Sequence, residues 1–336
     1  MFLNYEIFDV LNGIESNSST ISSTTLMIGK DEQKASQDDD AVLLQSGHKM
    51  PRVGFGTAAL GVHTKRAVVD ALDLGYRMID SAQAKEWYRE DLVGEALVES
   101  GVARADVFVT SKLHPRDMGR KGVEGLVKRS LVDLRTEYVD LFLLHYSECW
   151  GSLCANGEPV VEGTWKEAWR ELEKLVDLGV LRNIGVSNFD RANLEELHEF
   201  ARIQPAVVQE RSDLYATNSQ AMEICKKYGW QFEAYSSLGG QWWMYKKNPV
   251  LHNEVVDKIV LRLNKDLTAK MILENKVVTP AMVVLNYAKN VLKQVIIPRS
   301  ANKKHMEESL RVDEFTLTDE ECESLRKLDG SLQIKQ

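Results

Sequence analysis

The chain has 336 residues, 44% hydrophobic and 27% charged, a balance that excludes collagen-like, wholly disordered and coiled-coil proteins and leaves room for one large barrel or two ordinary domains. Its 42 basic and 50 acidic residues give a net charge of −8, so no broad basic surface is available for nucleic acid. No apolar run approaches the roughly 18 residues of a membrane-spanning helix, and neither a nucleic acid nor a membrane is expected as a partner.

Much of the excess charge is local. Residues 1–40 hold Glu6, Asp9, Glu15, Asp31, Glu32, Asp38, Asp39 and Asp40 against Lys30 and Lys34, together with a serine- and threonine-rich run over 16–25. Such a segment buries too little apolar surface to offset its ordering entropy, so a disordered acidic extension over 1–40 is expected. Its start lacks the basic region of a secretory signal and the arginines of a transit peptide, and a cytoplasmic address follows. The four cysteines, Cys149, Cys154, Cys225 and Cys322, show no paired C-x-x-C spacing and read as free thiols, with no metal site.

In chain order, 42–50 reads as a hairpin built on the Ser46-Gly47 turn. Eight short β-branched or aromatic runs follow, over 53–57, 77–81, 107–112, 138–145, 183–188, 206–209, 231–236 and 295–299. Helical periods alternate with them at 65–74, 91–100, 122–134, 165–178, 191–201, 219–228, 280–290 and 303–310. Start signals accompany several: Asn188 and Asp190 before one helix, Thr279-Pro280 before another, and a capping-box spacing from Thr318 to Glu321 that opens a further helix. An extra or lengthened outer helix is expected within 261–277. Eight strands alternating with eight helices predict an α/β fold, a (β/α)8 TIM barrel over 41–336 with an N-terminal β-hairpin over its bottom.

In such a barrel the chemistry sits where the strands end. The ends here are Asp80, Lys112 and His145 on three successive strands, then Asn188, Gln209, Tyr235 and Arg299. Any one of them is ordinary as a salt-bridged or solvated loop residue. Together they set a carboxylate beside an ammonium and an imidazole, a group suited to tuning a proton donor.

The segments 50–57, 74–83, 140–145, 183–189, 234–239 and 297–300 resemble the aldo-keto reductase family, and the likeness runs from Met50 to about Asp329. The resemblance implies NADPH-dependent reduction of an aldehyde or ketone, with a tyrosine hydroxyl giving the carbonyl oxygen its proton. Lys112 would be the cation beside that tyrosine, Asp80 its counter-ion and His145 the group that orients the carbonyl. A phenol near pKa 10 needs such a cation to work close to neutral pH.

The tyrosine departs from the family pattern. Five residues after the aspartate stands Lys85, and counting back from Val93-Gly94 lands on Trp87, so the loop 83–90 carries two extra residues. Tyr88 is the tyrosine in that loop. It is taken as the donor, against the alternative that it points to solvent.

For the cofactor, the resemblance assigns Gly56 and Thr57 at the first strand end, and Ser187, Asn188 and Gln209 at the carboxamide. Tyr235 would stack on the ring, Ser236 and Leu238 would line the pyrophosphate, and Arg299 and Ser300 would grip the 2′-phosphate. Glu308 is retained near the adenine, whereas His305 and Ser309 replace the family's usual arginine and asparagine. Trp87 and Trp150 are placed at the substrate, with Trp242 and Trp243 in a further loop, which suits an apolar or aromatic small-molecule carbonyl. The chain stops soon after Asp329, so an open mouth is expected on a monomeric enzyme. Two rivals remain: a dinucleotide fingerprint at Gly54-Phe55-Gly56-Thr57-Ala58-Ala59 on a Rossmann fold, and a cofactor-binding, nearly non-catalytic subunit of a larger assembly.

Overall fold

The computed structural model of the chain describes residues 40–118, 122–149, 163–268, 271 and 276–332. All of the expected acidic extension except Asp40 lies outside the described residues, as does Trp150. Strands β1 (Ala41–Leu43) and β2 (Lys49–Pro51) form the hairpin, and Gly47 takes the left-handed conformation its turn requires (φ 85°).

Eight parallel strands follow: β3 (Phe55–Gly56), β4 (Met78–Asp80), β5 (Phe108–Leu113), β6 (Leu141–Leu144), β7 (Ile184–Ser187), β8 (Val207–Arg211), β9 (Gln231–Tyr235) and β10 (Val295–Ile296). Each pairs with the next in sequence. The ends meet as well: the Gly54 N–H donates to the Ile296 carbonyl at 2.8 Å, and the Ile296 N–H to the Arg52 carbonyl at 3.0 Å. This closure rules out the open Rossmann sheet. β3 and β10 are shorter than expected because only these few residues keep ladder geometry where the two strands meet.

Around the barrel run α1 (Thr64–Leu74), α2 (Glu90–Glu99), α3 (Val123–Asp133), α4 (Trp165–Asp177), α5 (Arg191–Phe200), α6 (Ser219–Tyr228), α7 (Glu254–Leu263), α8 (Pro280–Asn286), α9 (Lys303–Leu310) and α10 (Asp319–Arg326). The start signals act as expected: Asp190 caps α5, Thr279 caps α8 with Pro280 at its first position, and Thr318 with Glu321 forms a capping box on α10. The helix expected to run to 290 widens instead into a π-helical turn over Tyr287–Val291. The outer helix α7 reaches into the start of the segment 261–277, of which 269, 270 and 272–275 lie outside the described residues. Asn253 caps it, and it buries Val256 and Ile259 in an apolar cluster outside the barrel with Leu214, Trp242, Val250 and Met282.

Strand alternation sorts the side chains. The outward residues Ile79, Val109, Phe142, Val186, Val208 and Phe232 pack under the helices in the main core. The inward ones make layers. The bottom layer is apolar, with Met78, Phe108, Leu141, Leu143, Val207, Val295 and Ile297 in one cluster. Above it, the same alternation brings Asp80, Lys112, Gln209 and Glu233 to one level.

Two glycines let the lower layers pack so closely. A β-carbon on Gly54 would stand 2.2 Å from Met78 Cε, and one on Gly185 2.2 Å from the Val207 carbonyl oxygen. Backbone cannot give way as a flexible side chain can. Gly185→Ala is expected to destabilise the protein by about 1–3 kcal/mol, as overpacking does, read as a lower urea midpoint with an unchanged m-value.

Candidate active site

β4 and β5 are neighbours in register, and this sets the central pair. Lys112 Nζ lies 2.8 Å from both Asp80 carboxylate oxygens and donates to the Ser81 carbonyl at 2.9 Å, with the lysine wholly buried. Burial disfavours the ammonium, but the charges of Asp80 and Tyr88 and the hydrogen bond to Asp80 outweigh it and raise the Lys112 pKa. A permanent cation is thus held under the barrel mouth.

Tyr88 faces this cation. The Lys112 ammonium sits 5.0 Å from the centre of the Tyr88 ring, and the His145 ring stands edge-on to it at 6.0 Å. The loop folds into a tight turn, in which the Trp87 and Tyr88 N–H groups both donate to the Ala84 carbonyl, at 2.9 and 2.8 Å. Two neighbouring loops pin that turn. The Ala59 N–H donates to the Trp87 carbonyl at 2.6 Å, and Glu86 lies 3.1 Å from His114 Nε2 and 3.8 Å from Arg116. Trp87 therefore spends its backbone on the turn and leaves its indole 41% exposed at the rim.

The titrations suit the arrangement. Burial, opposed by the Lys112 charge, raises the Tyr88 pKa, so the phenol keeps its proton at neutral pH. Burial, and then the Lys112 and His114 charges, push His145 well below the usual histidine range, so its imidazole is neutral. His145 Nδ1 has no hydrogen-bond partner.

On the other side of the mouth, Asn188 takes a left-handed backbone (φ 56°) after β7 and donates to the His145 carbonyl at 2.9 Å and to Ser187 Oγ at 3.0 Å. The Tyr235 hydroxyl donates to Asn188 Oδ1 at 2.6 Å, which fixes that ring's orientation. Gln209 Nε2 donates to Asp80 at 2.9 Å and to Glu233 at 2.7 Å. Thr57 is buried, its hydroxyl donating to the Asp80 carbonyl at 2.8 Å, and Gly56 packs against the Ile297 carbonyl, where a β-carbon would stand at 2.8 Å.

Ser236 is left-handed (φ 57°) at the start of the next loop, Leu238 is half-buried between two apolar clusters, and the buried Ser237 hydroxyl has no partner. Arg299 is exposed and, among the described residues, makes no ion pair; Lys303 and Lys304 follow it, equally exposed. Ser300 Oγ accepts from the Asn302 N–H at 2.9 Å, and Glu308 is buried against the Thr279 hydroxyl at 3.2 Å.

Some expectations need correction. Trp242 does not line the mouth: it is 2% exposed, packed edge-on to Tyr215 and Tyr245, with its indole N–H on Asp213 at 3.0 Å, because the outer cluster offers it an apolar site and an acceptor. Cys225 and Cys322 are free thiols, but Cys149 stands in a disulfide.

Three features went unread in the sequence. Tyr146 packs on His145 with ring centres 5.0 Å apart. Glu86 and His114 join loops far apart in sequence. Glu233, wholly buried beside Gln209, did leave a signal: a charge inside an apolar strand, two residues before the inward-facing Tyr235.

Among the described residues no cluster of His, Cys, Asp or Glu is arranged to hold a metal ion, and no helix is long and apolar enough to cross a membrane. The residues present fit a nicotinamide nucleotide on structural grounds: Arg299, Lys303 and Lys304, cations with no ion pair among the described residues, an unsatisfied buried hydroxyl at Ser237, and a bare backbone floor at Gly56. The central pair is testable without any ligand. Lys112→Met leaves Asp80 as a buried unpaired charge and should lower stability by about 3–5 kcal/mol. Adding Asp80→Asn should recover much of the loss in the same urea titration.

A family model described as the aldo/keto reductase family matches residues 52–330. The chain is 33% identical over 319 residues to the NADPH-dependent D-xylose reductase of Meyerozyma guilliermondii, covering 88% of this chain and 96% of that protein. It is 34% identical over 309 residues to aldo-keto reductase family 1 member A1 of Rattus norvegicus, covering 86% and 89%. The solved aldose reductase of Schistosoma japonicum superposes with a TM-score of 0.73 at 29% identity, over 86% of this chain and 92% of that one. With the closed barrel and the polar layer at its mouth, these matches make the chain a member of the aldo/keto reductase family.

Proposed function

We propose that the protein is a monomeric, cytoplasmic, NADPH-dependent reductase of small aldehydes or ketones, with Tyr88 as the proton donor. The observation that carries this reading is the inward turn of Tyr88 onto the Lys112 cation despite the longer loop. It also favours an enzyme over a nearly non-catalytic subunit, in which that tyrosine would face solvent.

The nucleotide, when bound, supplies the hydride that reduces the carbonyl carbon. The chain's own residues manage the oxygen. As negative charge grows on it, the protonated Tyr88 hydroxyl gives up its proton, and the Lys112 ammonium stabilises the phenolate left behind. Asp80 holds the lysine in place. The neutral imidazole of His145 offers one N–H donor to the carbonyl oxygen and orients it without competing for the proton. Asn188 and Tyr235, tied to one another, would hold the nicotinamide. Trp87 at the rim suits an apolar substrate, whereas Trp150 falls outside the described residues.

NADPH preference is supported by Arg299, which makes no ion pair among the described residues and whose guanidinium is suited to bidentate contacts with a phosphate, and by the name of the Meyerozyma relative. Arg299→Ala should weaken NADPH about tenfold to a hundredfold, the loss of a charged hydrogen bond, and leave NADH nearly unchanged in fluorescence titrations.

With 4-nitrobenzaldehyde as substrate, Tyr88→Phe should lower kcat by about 10²–10⁴, the usual loss for a positioned general acid, with NADPH affinity retained. Equal turnover by wild type and variant would remove Tyr88 from the mechanism. Cofactor binding with no turnover by the wild type would support the subunit reading instead.

A further inference from the structure

The inner layer that carries Lys112 holds one carboxyl more than the Lys112–Asp80 pair needs. Glu233 is wholly buried, and its Oε2 accepts from Gln209 Nε2 at 2.7 Å. That nitrogen also donates to Asp80 Oδ2 at 2.9 Å. Carboxylate oxygens accept, so the Gln209 amide must turn its NH2 to both, which leaves its carbonyl oxygen as the end free for a ligand.

The surroundings of Glu233 are otherwise apolar. The charged groups facing it are Asp80 from β4 and Lys112 from β5; β8 offers Gln209, and β10 offers Val295 at the paired position. No cation among the described residues lies within ion-pair distance of it, and its Oε1 has no hydrogen-bond partner. One ammonium therefore serves two carboxyls, and it is committed to Asp80. The cheapest way to hold the second carboxyl there is with its proton on.

We propose that Glu233 lets the barrel distinguish the two redox forms of the nicotinamide nucleotide, keeping its proton beside the neutral reduced ring and releasing it to solvent beside the cationic oxidised ring. The step is an acid dissociation: one O–H bond of the carboxyl breaks, the proton leaves, and the carboxylate stays as counter-charge one side-chain amide away from the ligand-facing oxygen of Gln209. This inference rests on the reductase reading, in which Gln209 meets the carboxamide.

The acidity has the value such a role requires. Burial, and then the Asp80 charge, push Glu233 up to about 8, against the Gln209 hydrogen bond and the Lys112 charge. A neighbouring cation lowers that value, so oxidised nucleotide binds more tightly as pH rises through it. Of the other groups at the mouth, His145 stays neutral and Tyr88 and Tyr146 stay protonated, since their shifts carry them away from this range. Glu90, at about 7 at the start of α2 against the Ser111 hydroxyl, and Glu210, at about 8 on β8, lie outside the inner layer and serve as controls.

The test is the ratio of the dissociation constants for NADP+ and NADPH, measured by intrinsic fluorescence from pH 6.5 to 9. Contacts to the adenosine and phosphates act on both forms and cancel. The ratio should fall about tenfold in the wild type, one pK unit of coupling, and in Glu90→Gln and Glu210→Gln, but stay flat in Glu233→Gln. A flat wild-type ratio, or the same fall in a folded Glu233→Gln, overturns the proposal while leaving the reductase reading intact. Failure of the wild type to bind either nucleotide removes both.

Infrared difference spectra of the wild type at pH 7 test it without a variant. A protonated carboxyl band should be strong with NADPH and fall to about half with NADP+, the result of one pK unit of coupling at this pH, and a band unchanged between the two overturns the proposal.

Discussion

The site is organised around an ammonium that has nowhere else to go. Lys112 points into the barrel because strand alternation leaves it no other direction, and once there it must find a carboxylate or lose its charge. Asp80, on the adjacent strand, supplies both oxygens at 2.8 Å. The pair does more than offset its own burial. Its positive end is the field that Tyr88 and His145 sense, and its negative end anchors Gln209.

The loop after β4 shows how a local turn can set a contact across the barrel mouth. Its residues close a helical turn on the Ala84 carbonyl, and the turn is held from both sides by the Ala59 amide and by the Glu86–His114 contact. The ring of Tyr88 then lies over the lysine. That contact is set by where the turn is pinned, not by a count from the aspartate.

The rest of the mouth divides its polar groups between holding the protein together and remaining available. Asn188 and Tyr235 satisfy each other, and Thr57 is spent on the Asp80 backbone. The groups left over are a coherent set: the carbonyl end of Gln209, the Ser237 hydroxyl, the Arg299 guanidinium and one nitrogen of His145.

The barrel was legible in the sequence because each βα unit is a local pattern: a short β-branched run, a turn, an amphipathic stretch with its cap. Strand-end residues such as Asp80, Lys112 and His145 could be named for the same reason, since a strand's end is visible in one dimension. What the sequence could not reveal depends on packing between distant segments. Trp242 reads as a pocket aromatic until α7 supplies an apolar bed for it, and Glu86 has no visible purpose until His114 is brought beside it. Position along the chain decided which residues reach the mouth. Only closure of the cylinder, by bringing β4, β5, β8 and β9 to one level, decided that Asp80 and Glu233 meet on the one Gln209 amide while the Lys112 cation pairs with Asp80, because that neighbourhood exists across strands and not along any of them.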